Sequence, residues 1–302
     1  MLKRRLIRSG LFGNLLLLML AVAHSAGIQP ASYNKPVLGD TTVHWLRFDP
    51  LLLQLSGPDF DAMNAPVIAL NKQAVRFVDN YIAQNNELLQ SIGSKYPRYF
   101  KIMDEVFMKY NLPVQLKYLA VVESELNINA VSRVGAAGPW QLMPATARIL
   151  SLKVTAGNDE RKHFYKSTVA AAKYLRDLYE IFDDWTLAIA AYNAGPAPVL
   201  KAIKKSGSRN FWALQYYLPA ETRGHVKKFI GTHYYFEGHG SITTVTKQER
   251  LAYTQAMLTY VEKQNKLISE KQGSAGNDDN SNDLAMETLP LVCRSGEIQV
   301  NE

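Results

Sequence analysis

Cysteine is almost missing from this chain. Cys293 is the only one in 302 residues, so no internal disulfide can form and stability has to come from packing alone. Histidines number six, and His225, His233 and His239 are spaced neither i, i+4 nor in a known ligand pattern, which argues against a metal site. No Gly-x-Ser-x-Gly elbow occurs, and no histidine lies in the segment carrying Ser124 and Ser132, so a serine nucleophile has no support. Between Leu126 and Asn158 there is not one Asp or Glu. No internal repeat is found.

What is present bounds the class. A hydrophobic share of 47% with 20% charged residues is that of an ordinary globular protein, and the length suits one large or two modest domains. Lys3, Arg4, Arg5 and Arg8 precede an apolar stretch from Leu11 to Ala23, followed by small residues through Ala26. That is the pattern of a secretory signal peptide over 1–26, cut after Ser25 or nearby; an uncleaved anchor is the alternative. The stretch falls short of the roughly 20 residues a bilayer-spanning helix needs. Removing those four cations, with no anion, takes the net charge from +7 to +3, mildly basic and not of nucleic-acid-binding character. The expected location is the periplasm or cell envelope, with membrane association not required.

Residues 27–69 carry Pro30, Pro36, Pro50, Pro58 and Pro66 and read as an irregular segment. A mainly helical domain is expected over 70–240. Its signals are apolar residues at helical spacing from Ala69 to Ile92 and from Tyr99 to Tyr110, and proline starts at Pro113, Pro144 and Pro196. Ser167 reads as the N-cap of a helix to Phe182, and Trp185 to Ala194 as a buried helix stopped by Gly195. A further C-terminal helix falls within 241–272, amphipathic through Leu251, Met257, Leu258 and Val261, and 273–302 reads as a disordered tail.

The residue that stands out is Glu123, at the end of the almost wholly apolar run Leu116 to Val122. Desolvation by the valines, the negative helix end and the lack of a cation within one turn all favour a carboxyl that keeps its proton, the form a general acid needs. The other reading is a helix that ends at Val122 with Glu123 in water. Glu125, two residues on along a helix, is expected to point away. The carboxylate-free loop offers neutral groups suited to sugars, Ser132, Gln141 and Thr146, with Gly135 and Gly138 allowing close backbone approach. Glycosidases usually pair two carboxylates, so a lone one requires the substrate to supply the second group. Trp140 is a candidate groove aromatic because it stands beside Gln141.

Three ordered segments, Glu123-Ser124, Gly138-Pro139-Trp140-Gln141-Leu142-Met143-Pro144 and Ala191-Tyr192-Asn193-Ala194-Gly195, resemble the motifs of the soluble lytic transglycosylase catalytic domain. Asp159-Glu160-Arg161, Tyr165-Lys166-Ser167 and Leu218 to Arg223 are similar to the membrane-bound lytic murein transglycosylase D branch. The resemblance spans roughly residues 70–236. It implies a lysozyme-like fold and cleavage of peptidoglycan glycan strands between N-acetylmuramic acid and N-acetylglucosamine to 1,6-anhydro ends, without metal or cofactor. It implies Glu123 as sole acid and then base, and Ser124, Ser132, Gln141, Met143, Tyr192 and Asn193 around the substrate. Pro139 replaces the usual leucine, and His225 stands where a tyrosine is common, at a position expected to be peripheral. Too few residues follow the tail's low-complexity stretch for a glycan-binding module, so wall binding is expected from the domain itself. The alternatives are a hydrolytic muramidase, with Asp183, Asp184 or Glu221 as second carboxylate, and an inactive wall-binding scaffold.

Overall fold

The structure is a computed structural model that describes residues 65–275. The expected signal peptide at 1–26, most of the 27–69 segment and most of the 273–302 tail lie outside the described residues. Among those described, helix dominates as expected and β structure is limited to isolated bridges. None of these helices is long and apolar enough to cross a membrane.

The first two helices, α1 (Lys72–Lys95) and α2 (Pro97–Lys109), are separated by a single residue, Tyr96. Asn71 caps α1 by accepting from the Gln73 N–H, and Pro97 opens α2 at a position where its missing N–H costs nothing. The run after Pro113 forms a 3-10 turn over Val114–Lys117 and then a short α3, Tyr118–Ser124. Helix α4 (Pro144–Ile149) follows the loop, and α5 spans Phe164–Phe182.

Ser167 is not the α5 cap. Its hydroxyl bonds back to the carbonyls of His163 and Phe164 from inside the helix, while the His163 ring caps the start by accepting from the Lys166 N–H. A serine scores well as a cap in sequence, yet here the chain is already helical three residues earlier.

Helix α6 (Trp185–Ala194) is apolar on nearly all sides and lies at the centre, flanked by α5, by α7 (Pro196–Ser206) and by α9 (Ala220–Glu237), after the short α8 (Phe211–Leu214). Asp184 caps α6 through the Leu187 N–H and the Thr186 hydroxyl, and its other oxygen accepts from the Lys247 N–H. Helix α9 packs along α1 and also touches α3 and α6, burying Val226, Phe229 and Ile230. It therefore ties together the elements that carry the site. The last helix, α10, runs Lys247–Ala275; of its expected apolar face Met257 is buried, whereas Leu251 and Leu258 are exposed. The described residues up to Tyr260 form one compact unit, and those from Val261 belong to a second, described only as the continuation of α10.

Candidate active site

Helix α3 ends one residue after Glu123 because Glu125 and Leu126 both take left-handed backbone angles, φ 56 and φ 62. The turn presents Glu123 to a cleft rather than to bulk water, with 14% of its side chain exposed. The cleft has two lobes, of ≈ 830 Å³ and ≈ 630 Å³, that share Glu123, Ser124, Glu125 and Gln141. A chain-like ligand could thus pass the carboxyl on both sides.

The same turn overturns the expectation for Glu125. Helical spacing would aim it away, but the helix has stopped, and Glu125 borders both lobes. A second correction concerns His225. From α9 it brings its Nε2 to 2.9 Å from Glu123 Oε1, with only 8% of its side chain exposed. The lack of a cation within one turn of α3 was a statement about one helix; the fold supplies a titratable ring from 102 residues away. His225 is at the centre of the site and not peripheral.

Loop 130–142 forms the wall facing Glu123. Ala137 and Leu142 exchange both backbone hydrogen bonds, at 3.1 and 3.2 Å, and between them Gly138 to Gln141 make a β-turn closed by the Gln141 N–H on the Gly138 carbonyl. Pro139 occupies the second position of that turn, where its fixed φ is favoured. Pro139 thus fits this loop where a leucine is usual. Its carbonyl accepts from the Ser124 hydroxyl at 2.8 Å, so Ser124 fastens the end of α3 to the turn.

Two further anchors hold the turn. Tyr192 donates its hydroxyl to the Trp140 carbonyl at 2.8 Å, and the Trp140 indole N–H donates to Thr168 Oγ1 at 3.0 Å. Trp140 is fully buried and therefore a core residue, not a groove aromatic. Tyr192 also borders the larger lobe; burial, and after it the Glu123 charge, holds its phenol well above the ordinary range, so it stays neutral. Gln141, at φ 45, donates from Nε2 to the carbonyls of Gly138 (2.8 Å) and Ala130 (3.3 Å).

Among the other expected site residues, Met143 and Asn193 border the larger lobe and Ser132 the smaller. Asn193 Oδ1 accepts from the Thr222 hydroxyl of α9 at 2.8 Å, and Ser132 Oγ accepts from the Ala136 N–H at 2.9 Å. All seven residues thus surround one cleft. Sequence reading missed its far wall, where α1 supplies Asn80, Tyr81, Gln84 and Asn85. Polar residues on the solvent side of an amphipathic helix give no hint that a cleft lies over them.

It also missed the clamp behind the loop. Arg161 is buried and donates from one Nη to the carbonyls of Gly135 (2.6 Å) and Leu142 (3.0 Å), while Nε and the other Nη grip Asp159. That pairing holds the Asp159 carboxyl below its ordinary range. Gly138 lies against the same segment: a Cβ there would be 1.9 Å from the Arg161 carbonyl oxygen. The carboxylates considered as second catalytic groups divide. Asp184 is spent on the α6 cap and Asp183 pairs with Lys247 and Arg250, whereas Glu221 borders the cleft.

Residues 104–215 match the transglycosylase SLT domain family. The chain is 37% identical over 152 residues to membrane-bound lytic murein transglycosylase D of Escherichia coli (strain K12), covering 49% of this chain and 33% of that one. It thus spans about a third of the length of that curated relative. Among solved structures, the 70 kDa soluble lytic transglycosylase of Escherichia coli matches at 24% identity with a TM-score of 0.46, covering 58% of this chain and 31% of that one. The lytic transglycosylase Slt of Pseudomonas aeruginosa matches at 24% identity and TM-score 0.42, covering 49% and 26%.

Proposed function

We propose that this chain, which carries a transglycosylase SLT domain over residues 104–215, is a lytic transglycosylase of peptidoglycan glycan strands. The observation that carries the reading is Glu123, partly desolvated at the junction of a two-lobed cleft whose facing loop is free of carboxylates. Glu123 protonates the glycosidic oxygen between N-acetylmuramic acid and N-acetylglucosamine. The substrate's N-acetyl group takes up the developing positive charge, the role a second carboxylate fills in other glycosidases. Ionised by its first step, Glu123 then removes the proton from the muramic 6-hydroxyl, which attacks the anomeric carbon and closes the 1,6-anhydro ring. Proton and leaving group balance without water. Ser132, Gln141, Met143, Tyr192 and Asn193 shape the substrate's surroundings; Ser124 keeps the turn in place.

Glu125 and Glu221 at the cleft favour one alternative, a muramidase that admits water. Mass analysis of products from purified peptidoglycan separates the two, because anhydro ends are one water lighter than reducing ends. We expect anhydro ends only, and a loss of about 10³-fold or more in Glu123→Gln with the fold intact. Reducing ends alone would establish the muramidase instead. A wild-type protein that sediments with peptidoglycan but releases nothing would make it a scaffold. Residues 1–26 act in this reading as an export signal that delivers the enzyme to the cell envelope.

A further inference from the structure

The imidazole of His225 touches Glu123 through Nε2, while its Nδ1 is buried and meets no hydrogen-bond partner among the described residues. A neutral histidine carries one N–H, and the two ring positions are not equivalent here. Placing the hydrogen on Nδ1 would bury an unpaired N–H, and charging the ring would do the same. Placing it on Nε2 leaves Nδ1 a bare lone pair and donates to Glu123 Oε1. That tautomer suits both states of the carboxyl. When Glu123 is ionised, Oε1 accepts as a carboxylate oxygen; when it is protonated on Oε2, Oε1 accepts as a carbonyl oxygen, and the ring need not change.

From this we propose, resting on the transglycosylase reading, that His225 is a positioning residue that divides the work between the two oxygens of Glu123. Its Nε2–H holds Oε1, so Oε2 carries the proton to the glycosidic oxygen and later takes it from the muramic hydroxyl. Tyr192 from α6 and Tyr81 from α1 are both held above the ordinary phenol range by burial, and Glu125, Glu221 and Lys228 border the same cleft. In this reading His225 donates to Oε1 in both states of the carboxyl. It lies beyond residues 104–215, so the matched segment alone lacks it.

The test compares the full chain with His225→Gln, whose amide N–H replaces the Nε2 donor but cannot titrate, and with His225→Phe, which keeps the ring and removes the donor. Release of anhydro-muropeptides from purified peptidoglycan is measured from pH 5 to 9. His225→Gln is expected to stay within about tenfold of wild type with an unshifted pH profile, and His225→Phe to lose about 10²-fold or more in kcat. Phe as active as wild type, Gln as defective as Phe, or a Gln profile displaced by a full pH unit would overturn the assignment. Nitrogen-15 NMR of the wild-type imidazoles covers the case of a variant that does not fold, and of a protein inactive on peptidoglycan. A neutral Nε2–H tautomer for His225 supports its hold on Oε1 in either case; an Nδ1–H tautomer sinks the inference.

Discussion

Substituting Gly138 by alanine tests the loop that faces Glu123, because one added carbon meets two separate obstacles. The first is conformational: at φ +80 an L-residue costs about 1–2 kcal/mol. The second is steric. The new Cβ would lie 1.9 Å from the Arg161 carbonyl oxygen, whereas ordinary contact begins near 3.4 Å, so about 1.5 Å has to be gained. Neither side can give that cheaply. Arg161 is fixed by Asp159 and by the carbonyls of Gly135 and Leu142, and the turn is fixed by Ser124, Tyr192 and the Ala137–Leu142 bridge. Movement would break at least one hydrogen bond to a charged group, about 1.5–3 kcal/mol, for a total of roughly 3–5 kcal/mol. Gly135 is the internal control, since it has φ +87 but nothing within 4 Å of an added Cβ. Gly135→Ala therefore incurs only the conformational part. At about 2–4 °C per kcal/mol for a domain of this size, calorimetry should show Tm falling by roughly 6–20 °C in Gly138→Ala and by about 2–8 °C in Gly135→Ala. Turnover on peptidoglycan should fall at least tenfold only in the former, through displacement of Gln141. Melting within about 2 °C of each other would refute the close packing of Gly138 on Arg161.

Two further substitutions probe the core and the clamp. His233 is fully buried and burial pushes its imidazole from 6.5 down to about 4, so the unfolded chain takes up a proton that the folded chain refuses. Its contribution is complete above pH 6.5 and is lost as pH falls towards 4, amounting to about 2–3 kcal/mol by pH 4.5. Urea titrations at pH 7.5 and 4.5 should show that much less loss in His233→Phe than in wild type; an identical loss would mean that His233 already titrates freely in the fold. Arg161→Leu strips the partner from a mostly buried Asp159 carboxylate and frees two loop carbonyls, at a cost of about 3 kcal/mol in chemical denaturation, with at least a tenfold loss of glycan cleavage. Full activity in that variant would show that the loop keeps its shape without the clamp.

Much of this architecture was legible because it depends on local rules. Pro144 and Pro196 start helices where a missing N–H is harmless, Gly207 ends α7 at φ 67, and the nearly unbroken apolar run from Trp185 to Ala194 had to be interior, whereas Pro113 opens only a 3-10 turn and α3 starts at Tyr118. The sequence reading failed where a local rule had two outcomes. Ser167 is a good cap or a tolerable helix interior, and the preceding His163 decided it. Glu125 sits two residues from Glu123 and would oppose it in a helix, but the backbone reversal at Glu125 and Leu126 sends it to the cleft. Trp140 neighbours a site residue in sequence and still turns into the core, where its indole N–H donates to Thr168. His225 was visible as an unusual residue but not as a partner, since no periodicity in α9 reveals which residue of α3 it will meet.

That last failure bears on what counts as the functional unit. The family match ends at residue 215, yet α9 begins at Ala220 and supplies His225 to Glu123, Thr222 to Asn193, and a buried face of Val226, Phe229 and Ile230. Its other side lies along α1, which starts at Lys72, well before the match, and forms the far wall of the cleft. Residues 104–215 hold Glu123 and the turn but only part of the cleft wall, and they lack His225, the proposed positioning residue. A lone carboxyl asked to act twice depends on orientation more than a paired one does, because no second group corrects a misplaced first step. On the proposed mechanism the elements outside the matched segment take part in the chemistry, and the smallest piece expected to carry the whole site runs from α1 through α9.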